Sequence, residues 1–209
     1  MTASTICCFA MSIISSDIQR LRRDIVFRCR LRDMDFEFHS TWGLFSPRGI
    51  DEGSRLLIEY FDALPDQATL EIGCGYGPIG MAIARQSPLG QVHMVDRDYL
   101  AVEYTGKNVE LNGLKNCRVY LSNAFSAVPP RLRFDNVVSN LPAKGGGEML
   151  SIILHDAHER LLPNGRLCVV TVSGLRRWIE RNMNEVFGNY RKLKQGKSHT
   201  VALAVKGGP

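Results

Sequence analysis

The sequence has no apolar run near the roughly 18 residues that a membrane-spanning helix requires. None of its six cysteines (Cys7, Cys8, Cys29, Cys74, Cys117 and Cys168) forms a C-x-x-C pair. Their spacing suits no structural zinc, so no metal site is expected. Cysteines in apolar segments pack as small hydrophobes, and free thiols in that setting fit a reducing cytoplasm. The mildly apolar stretch Ile6 to Ile14 lacks a basic region before it and a cleavage site after it, so no signal peptide is expected. No internal repeat is present. Also missing is the third glycine of the dinucleotide fingerprint G-x-G-x-x-G. Gly73 and Gly75 fill its first two places, but Pro78 stands in the third.

What remains is the profile of one globular domain. The chain has 209 residues, 44% of them hydrophobic and 22% charged, enough for a good core. The net charge is +5 and the pI about 9.0, a balance that points toward an anionic partner such as RNA without requiring one.

The richest segment is Leu70-Glu71-Ile72-Gly73-Cys74-Gly75-Tyr76-Gly77-Pro78-Ile79-Gly80. It reads as a buried strand carrying an acid, a bend with glycines at alternate positions, and a helix start. Glycine accepts positive φ and lets backbone approach a ligand closely. A second strand, Gln91 to Val95, ends at Asp96, where an acid can accept both hydroxyls of an adenosine ribose. Glu71 is foreign to a pyrophosphate site, because its charge would repel phosphates. It suits a cationic adenosine, and S-adenosylmethionine carries both a sulfonium and an ammonium.

These residues resemble the class I S-adenosylmethionine-dependent methyltransferases. More narrowly, the chain is similar to the small-domain methyltransferases that include the ribosomal RNA guanine-N2 enzymes. The likeness runs from about Phe36 to the C-terminus. It rests on Gly43-Leu44-Phe45-Ser46, Asp51-Glu52-Gly53-Ser54, the glycine bend and Val95-Asp96. Asn108, Asn112-Gly113, Phe134-Asp135, Ser139-Asn140-Leu141-Pro142 and Pro163-Asn164-Gly165 complete it.

Alternating strands and helices predict a parallel sheet covered on both faces. The resemblance implies a Rossmann-like, mostly parallel sheet of seven strands, with an antiparallel hairpin at its C-terminal edge and an N-terminal β-hairpin extension. Residues 1–15 are expected to be a disordered tail, residues 16–50 a short helix and hairpin cap, and residues 51–209 the cofactor-binding domain. Within the cap, Ser16 to Arg23 reads as a helix. Ile25 to Ser40 alternates as two strands around an Arg32-Asp33 turn, which puts Arg28, Arg30 and Arg32 on one face. That face reads more readily as a solvated exterior than as an RNA contact. Further helices are expected at Ser54 to Leu64, Ile79 to Gln86, from Asp98 to Asn112-Gly113, Glu148 to Leu162 and Trp178 to Phe187. Strands are expected at Thr69 to Ile72, Cys117 to Leu121, Asn136 to Ser139, Leu167 to Val172, Tyr190 to Leu193 and Thr200 to Val205.

Ligands of such sheets sit outside the C-terminal strand ends. The cofactor candidates there are Glu71, Gly73, Cys74, Gly75, Gly77, Asp96, Arg97, Asn123, Ala124 and Asn140. The resemblance places an acid at the position of Asn123, where it accepts from the adenine amino group; asparagine accepts the same bond through its oxygen. It also implies that Asn140-Leu141-Pro142 stands for the catalytic motif Asn-Pro-Pro-aromatic. In that motif the Asn side chain and the next carbonyl accept the protons of a planar amine, and the aromatic ring stacks on the base. Leu141 retains the carbonyl, while Ala143 cannot stack, leaving Phe45 or Tyr76 to do so. Lys144 and the basic C-terminal residues Arg176, Arg177, Arg181, Arg191, Lys192, Lys194 and Lys197 read equally as RNA contacts or as solvated surface.

The resulting expectation is an S-adenosylmethionine-dependent N-methyltransferase acting on an exocyclic amine of structured RNA, a ribosomal RNA guanine foremost. The alternatives are a protein glutamine methyltransferase, a small-molecule methyltransferase, or a cofactor-binding module with little activity. Glu71 and Pro78 disfavour a nicotinamide oxidoreductase.

Overall fold

The computed structural model describes residues 23–143 and 146–208. The expected tail over 1–15, nearly all of the expected 16–23 helix, and Lys144 lie outside the described residues.

The described residues open on a hairpin, β1 (Ile25–Leu31) and β2 (Met34–Ser40), paired antiparallel from Ile25 opposite Ser40 to Leu31 opposite Met34. Arg32 and Asp33 both take positive φ, at 46° and 61°, the conformation that a two-residue turn between twisted strands demands. Arg32 does not share the outer face of Arg28 and Arg30, as expected from the sequence. It folds from the turn onto the Asp62 carboxylate and the Glu59 carbonyl.

The sheet contains β3 (Thr69–Ile72), β4 (Val92–Asp96), β5 (Cys117–Leu121), β6 (Phe134–Asn140), β7 (Leu161–Val172), β8 (Arg191–Gln195) and β9 (His199–Val205), in the order β5-β4-β3-β6-β7-β9-β8. The first five strands run parallel, and β9 and β8 close the edge antiparallel. Among the described residues the α-helices are α1 (Glu52–Tyr60), α2 (Pro78–Gln86), α3 (Tyr99–Leu111), α4 (Gly147–Arg160) and α5 (Arg176–Phe187). A Rossmann-like α/β sheet with a hairpin extension is therefore the observed architecture.

Both sheet faces are apolar, as parallel strands between helices require. On β7, Cys168 and Val170 join the core under α1, α2, α3 and the hairpin. Leu167 and Val169 join the one under α4 and α5. Burying each such aliphatic side chain contributes about 1.5–3 kcal/mol.

Several element boundaries differ from the sequence expectation. Helix α1 starts two residues earlier, at Glu52, because the Asp51 side chain accepts the Ser54 N–H and caps it. It ends at Tyr60, where Phe61 turns extended and buries its ring. Helix α4 ends at Arg160 and Leu161 already pairs with Phe134. The expected Pro163-Asn164-Gly165 turn survives as a bulge within β7, with Asn164 at φ 63°. The buried stripe of α3 is Ala101, Tyr104, Thr105, Asn108 and Val109, while Leu111 is 47% exposed.

Two asparagines fix the hairpin to α3. Asn108 accepts the His39 N–H at 2.8 Å and donates to the His39 carbonyl at 2.9 Å. Asn112, one turn on, does the same with Glu37, at 3.2 and 2.8 Å. Each side-chain amide thereby imitates the edge of a neighbouring strand. Asn108 also donates to the Tyr76 carbonyl at 2.8 Å, which ties the hairpin to the glycine bend.

Candidate active site

In the sheet order β4-β3-β6 the connections leave β3 in opposite directions, so a crevice opens at the C-terminal ends of these strands. The bend Gly73 to Gly77 lies there. Gly73, Gly75 and Gly77 have φ of 74°, 58° and 100°, values that a residue with a Cβ adopts only under strain. Positions where a Cβ of Gly73 or Gly75 would stand are open, with no atom within 4 Å. The bend is nonetheless rigidly held. The N–H groups of Gly73 and Cys74 donate to the Val95 carbonyl, and Thr105 Oγ1 donates to the Gly75 carbonyl at 2.8 Å. Gly77 then serves as N-cap of α2, with Pro78 at the first helical position.

Glu71 does not face the crevice, as the sequence reading supposed. It is 1% exposed and lies beneath the bend, where one carboxylate oxygen accepts the Gly80 N–H at 2.8 Å. Burial pushes its carboxyl well above the ordinary range, the Gly80 bond opposes the rise, and the Asp96 charge adds to it. The α2 terminus is thus already capped by an internal acid. Pro78 has no N–H, and the Gly80 N–H that would meet a phosphate is taken.

Asp96 ends β4. One oxygen accepts the Gly75 N–H and the other the Asp98 N–H, each at 3.0 Å. A carboxylate has about four lone-pair sites, so both oxygens retain acceptor capacity. Arg97 beside it is exposed. Beyond β5, Ser122 Oγ bonds the Ala124 carbonyl and the Ala127 N–H, a clasp that holds Ala124 at φ 48°. Asn123 projects from this turn, exposed. Asn123 and Ala124 line one end of a groove of about 550 Å³ that continues along α4 to Arg160.

Asn140 ends β6. Its amide nitrogen donates to Asp51 Oδ1 and to Ser54 Oγ, both at 3.1 Å. Its amide oxygen accepts from no described residue. The Leu141 side chain is buried and its N–H donates to the Val170 carbonyl at 3.0 Å. Leu141 thereby makes a strand bond that a proline at this position could not. Pro142 and Ala143 are exposed.

Residues 41–50 cross from the hairpin to α1 above the bend. Tyr76 is 3% exposed, and its hydroxyl donates to the Ser46 and Gly49 carbonyls. Gly43 lies so close to Leu100 that a Cβ there would come within 2.9 Å of it. Between these anchors Phe45 stands 73% exposed. Of the two aromatic candidates, only Phe45 is accessible to a base. Asp51 and Ser54 gained no site role from the sequence. They stand in the sequence as part of the family-like run Asp51-Glu52-Gly53-Ser54, which says nothing of Asn140.

A seven-stranded sheet in this order, with a glycine bend after its central strand and an acid after the next, defines a class I methyltransferase. The methyltransferase small domain family model matches residues 35–202, and the chain belongs to that family. An uncharacterised Bacillus subtilis protein, YbxB, is 34% identical over 85% of this chain and 89% of its own length. Ribosomal RNA small subunit methyltransferase C of Hamiltonella defensa is 32% identical over 84% of this chain and 52% of its own. Among solved structures, the Thermus thermophilus 16S rRNA N2 G1207 methyltransferase in complex with AdoMet and guanosine aligns with a TM-score of 0.79. It shares 28% identity over 87% of this chain and 50% of that one. The chain thus spans about half the length of these two ribosomal RNA enzymes.

The chain is an S-adenosylmethionine-dependent methyltransferase related to the ribosomal RNA guanine-N2 enzymes. Its residues fit the cofactor: the glycine bend is bare and open, Asp96 keeps lone pairs free, and the Gly80 N–H at the helix terminus is already held by Glu71. Among the described residues no group of three or more His, Cys, Asp or Glu is arranged to hold a metal. No described helix is long and apolar enough to cross a membrane.

Proposed function

We propose that the chain methylates an exocyclic amine of a base in structured RNA, with the N2 of a ribosomal RNA guanine as the foremost substrate. The observation that carries this reading is the uncommitted amide oxygen of Asn140 at the end of β6.

S-adenosylmethionine supplies an electrophilic methyl carbon on a sulfonium. In this reading Gly73, Cys74, Gly75 and Gly77 shape the bend against the cofactor, and Asp96 accepts the ribose hydroxyls, flanked by Arg97. Asn123 accepts from the adenine amino group beside the Ala124 backbone. Glu71 acts from below, as a buried acid whose ionised form a nearby cation favours.

An exocyclic amine is a poor nucleophile because its lone pair is drawn into the ring. Asn140 Oδ1 and the Leu141 carbonyl are two acceptors for its N–H groups. They favour the tetrahedral nitrogen that develops on attack, by the electrostatic logic of an oxyanion hole with polarity reversed. Pro142 shapes the exit from the strand, and Phe45 takes the stacking role that Ala143 lacks. In this reading the cap spans residues 16–50, of which the hairpin is described, and the cofactor-binding domain spans residues 51–209. Arg177 and Arg181 on α5, Arg191, Lys192 and Lys194 on β8, and Lys197 in the turn beyond it are exposed, and in this reading they meet the RNA backbone.

The test is incubation of the protein with methyl-labelled cofactor and separate cellular RNA, protein and small-molecule fractions, followed by nucleoside analysis. Label in N2-methylguanosine supports the reading. Label only in protein or small molecules overturns it.

A further inference from the structure

An asparagine amide has two ends of opposite function, nearly identical in shape. Only the oxygen accepts a proton from a substrate amine, so the orientation of Asn140 decides whether the site works. Asp51 lies 89 residues before Asn140 in sequence, and its Oδ1 is 3.1 Å from the Asn140 nitrogen. The same oxygen holds the Ser54 N–H at 3.0 Å, which fixes its place at the head of α1. An ionised carboxylate accepts and does not donate. The amide nitrogen must therefore face Asp51; turning the amide over would set oxygen against oxygen. Ser54 Oγ adds a second partner for the same nitrogen at 3.1 Å.

We propose that Asp51 is a positioning residue that sets the polarity of the Asn140 amide, with its nitrogen toward α1 and its oxygen toward the amine to be methylated. Asp51 thus couples the start of α1 to the end of β6 and acts only through Asn140. The proposal rests on Asn140 accepting from the substrate, as argued above.

Because Asp51 also caps α1, the test must separate the two roles. Serine caps as well as aspartate, but its shorter side chain cannot also reach Asn140. Asparagine offers an oxygen at the same reach. In Asp51→Ser we expect kcat to fall at least tenfold, with KM for RNA and cofactor Kd within twofold of the parent. Asp51→Asn should recover most of that loss. In an Asn140→Ala background, Asp51→Ser should cost nothing further. Parental kcat in Asp51→Ser overturns the proposal, as does Asp51→Asn failing to recover, or a full additional loss in the double variant. If Asn140→Ala is impaired and Asp51→Ser is not, only this proposal fails. If Asn140→Ala itself turns over like the parent, the proposed function fails with it.

Discussion

The carboxylate of Asp96 accepts the Gly75 N–H at 3.0 Å, so the acid that ends one strand also braces the bend leaving its neighbour. On the proposed reading, ribose recognition and the shape of the bend are coupled through Asp96. Asp96→Ala should weaken S-adenosylmethionine binding by about 1.5–3 kcal/mol, the scale of a bond to a charged group. Asp96→Asn, which can still accept from Gly75, should lose less. Titration calorimetry distinguishes these outcomes, and equal losses would mean that charge alone acts.

Asn140→Ala should lower kcat by about 10²–10³, the usual cost of removing one such transition-state partner. Cofactor affinity should stay near parental. Single-turnover kinetics beside calorimetry would check this, and a matching fall in affinity would move Asn140 into cofactor binding.

Glu71 gives the protein a characteristic pH response. Its folded carboxyl titrates well above its unfolded value, so between those two values the folded state holds the extra proton. Stability should therefore fall as pH rises through that window. Glu71→Gln cannot ionise and can still accept from Gly80, so it should flatten this slope and bind the cationic cofactor more weakly. Denaturant titrations from pH 4 upward would show whether the two slopes diverge.

Phe45→Ala should weaken RNA binding by about 1–3 kcal/mol, the value of one base stacked on an aromatic ring. Phe45→Tyr should restore it. Cofactor affinity should not change in either variant, which calorimetry without RNA would verify.

The glycine bend, the start of α3, where the Asp98 side chain accepts the Leu100 N–H, and the Arg32-Asp33 turn are legible in the sequence because local backbone conformation dictates those residues. The place of Asp96 at a strand end is legible because an acid closes the second strand at a set distance from the bend. The burial of Glu71 is not, since it depends on α2 landing upon it. Nor is the Asp51–Asn140 pair, made by elements distant in sequence and joined only when α1 packs on the sheet. Arg32 misled because alternation assigned it a face that the turn interrupts. Tyr76 could be set aside only once its hydroxyl was seen to be committed to Ser46 and Gly49.

A crystal of the protein with S-adenosylhomocysteine and guanosine tests the central claim most directly. The account predicts ribose hydroxyls on Asp96, homocysteine along Gly73 and Gly75, and the guanine N2 on Asn140 Oδ1 and the Leu141 carbonyl, facing the sulfur. Nucleoside density away from Asp96, or a base whose amine lies out of reach of Asn140, would contradict it.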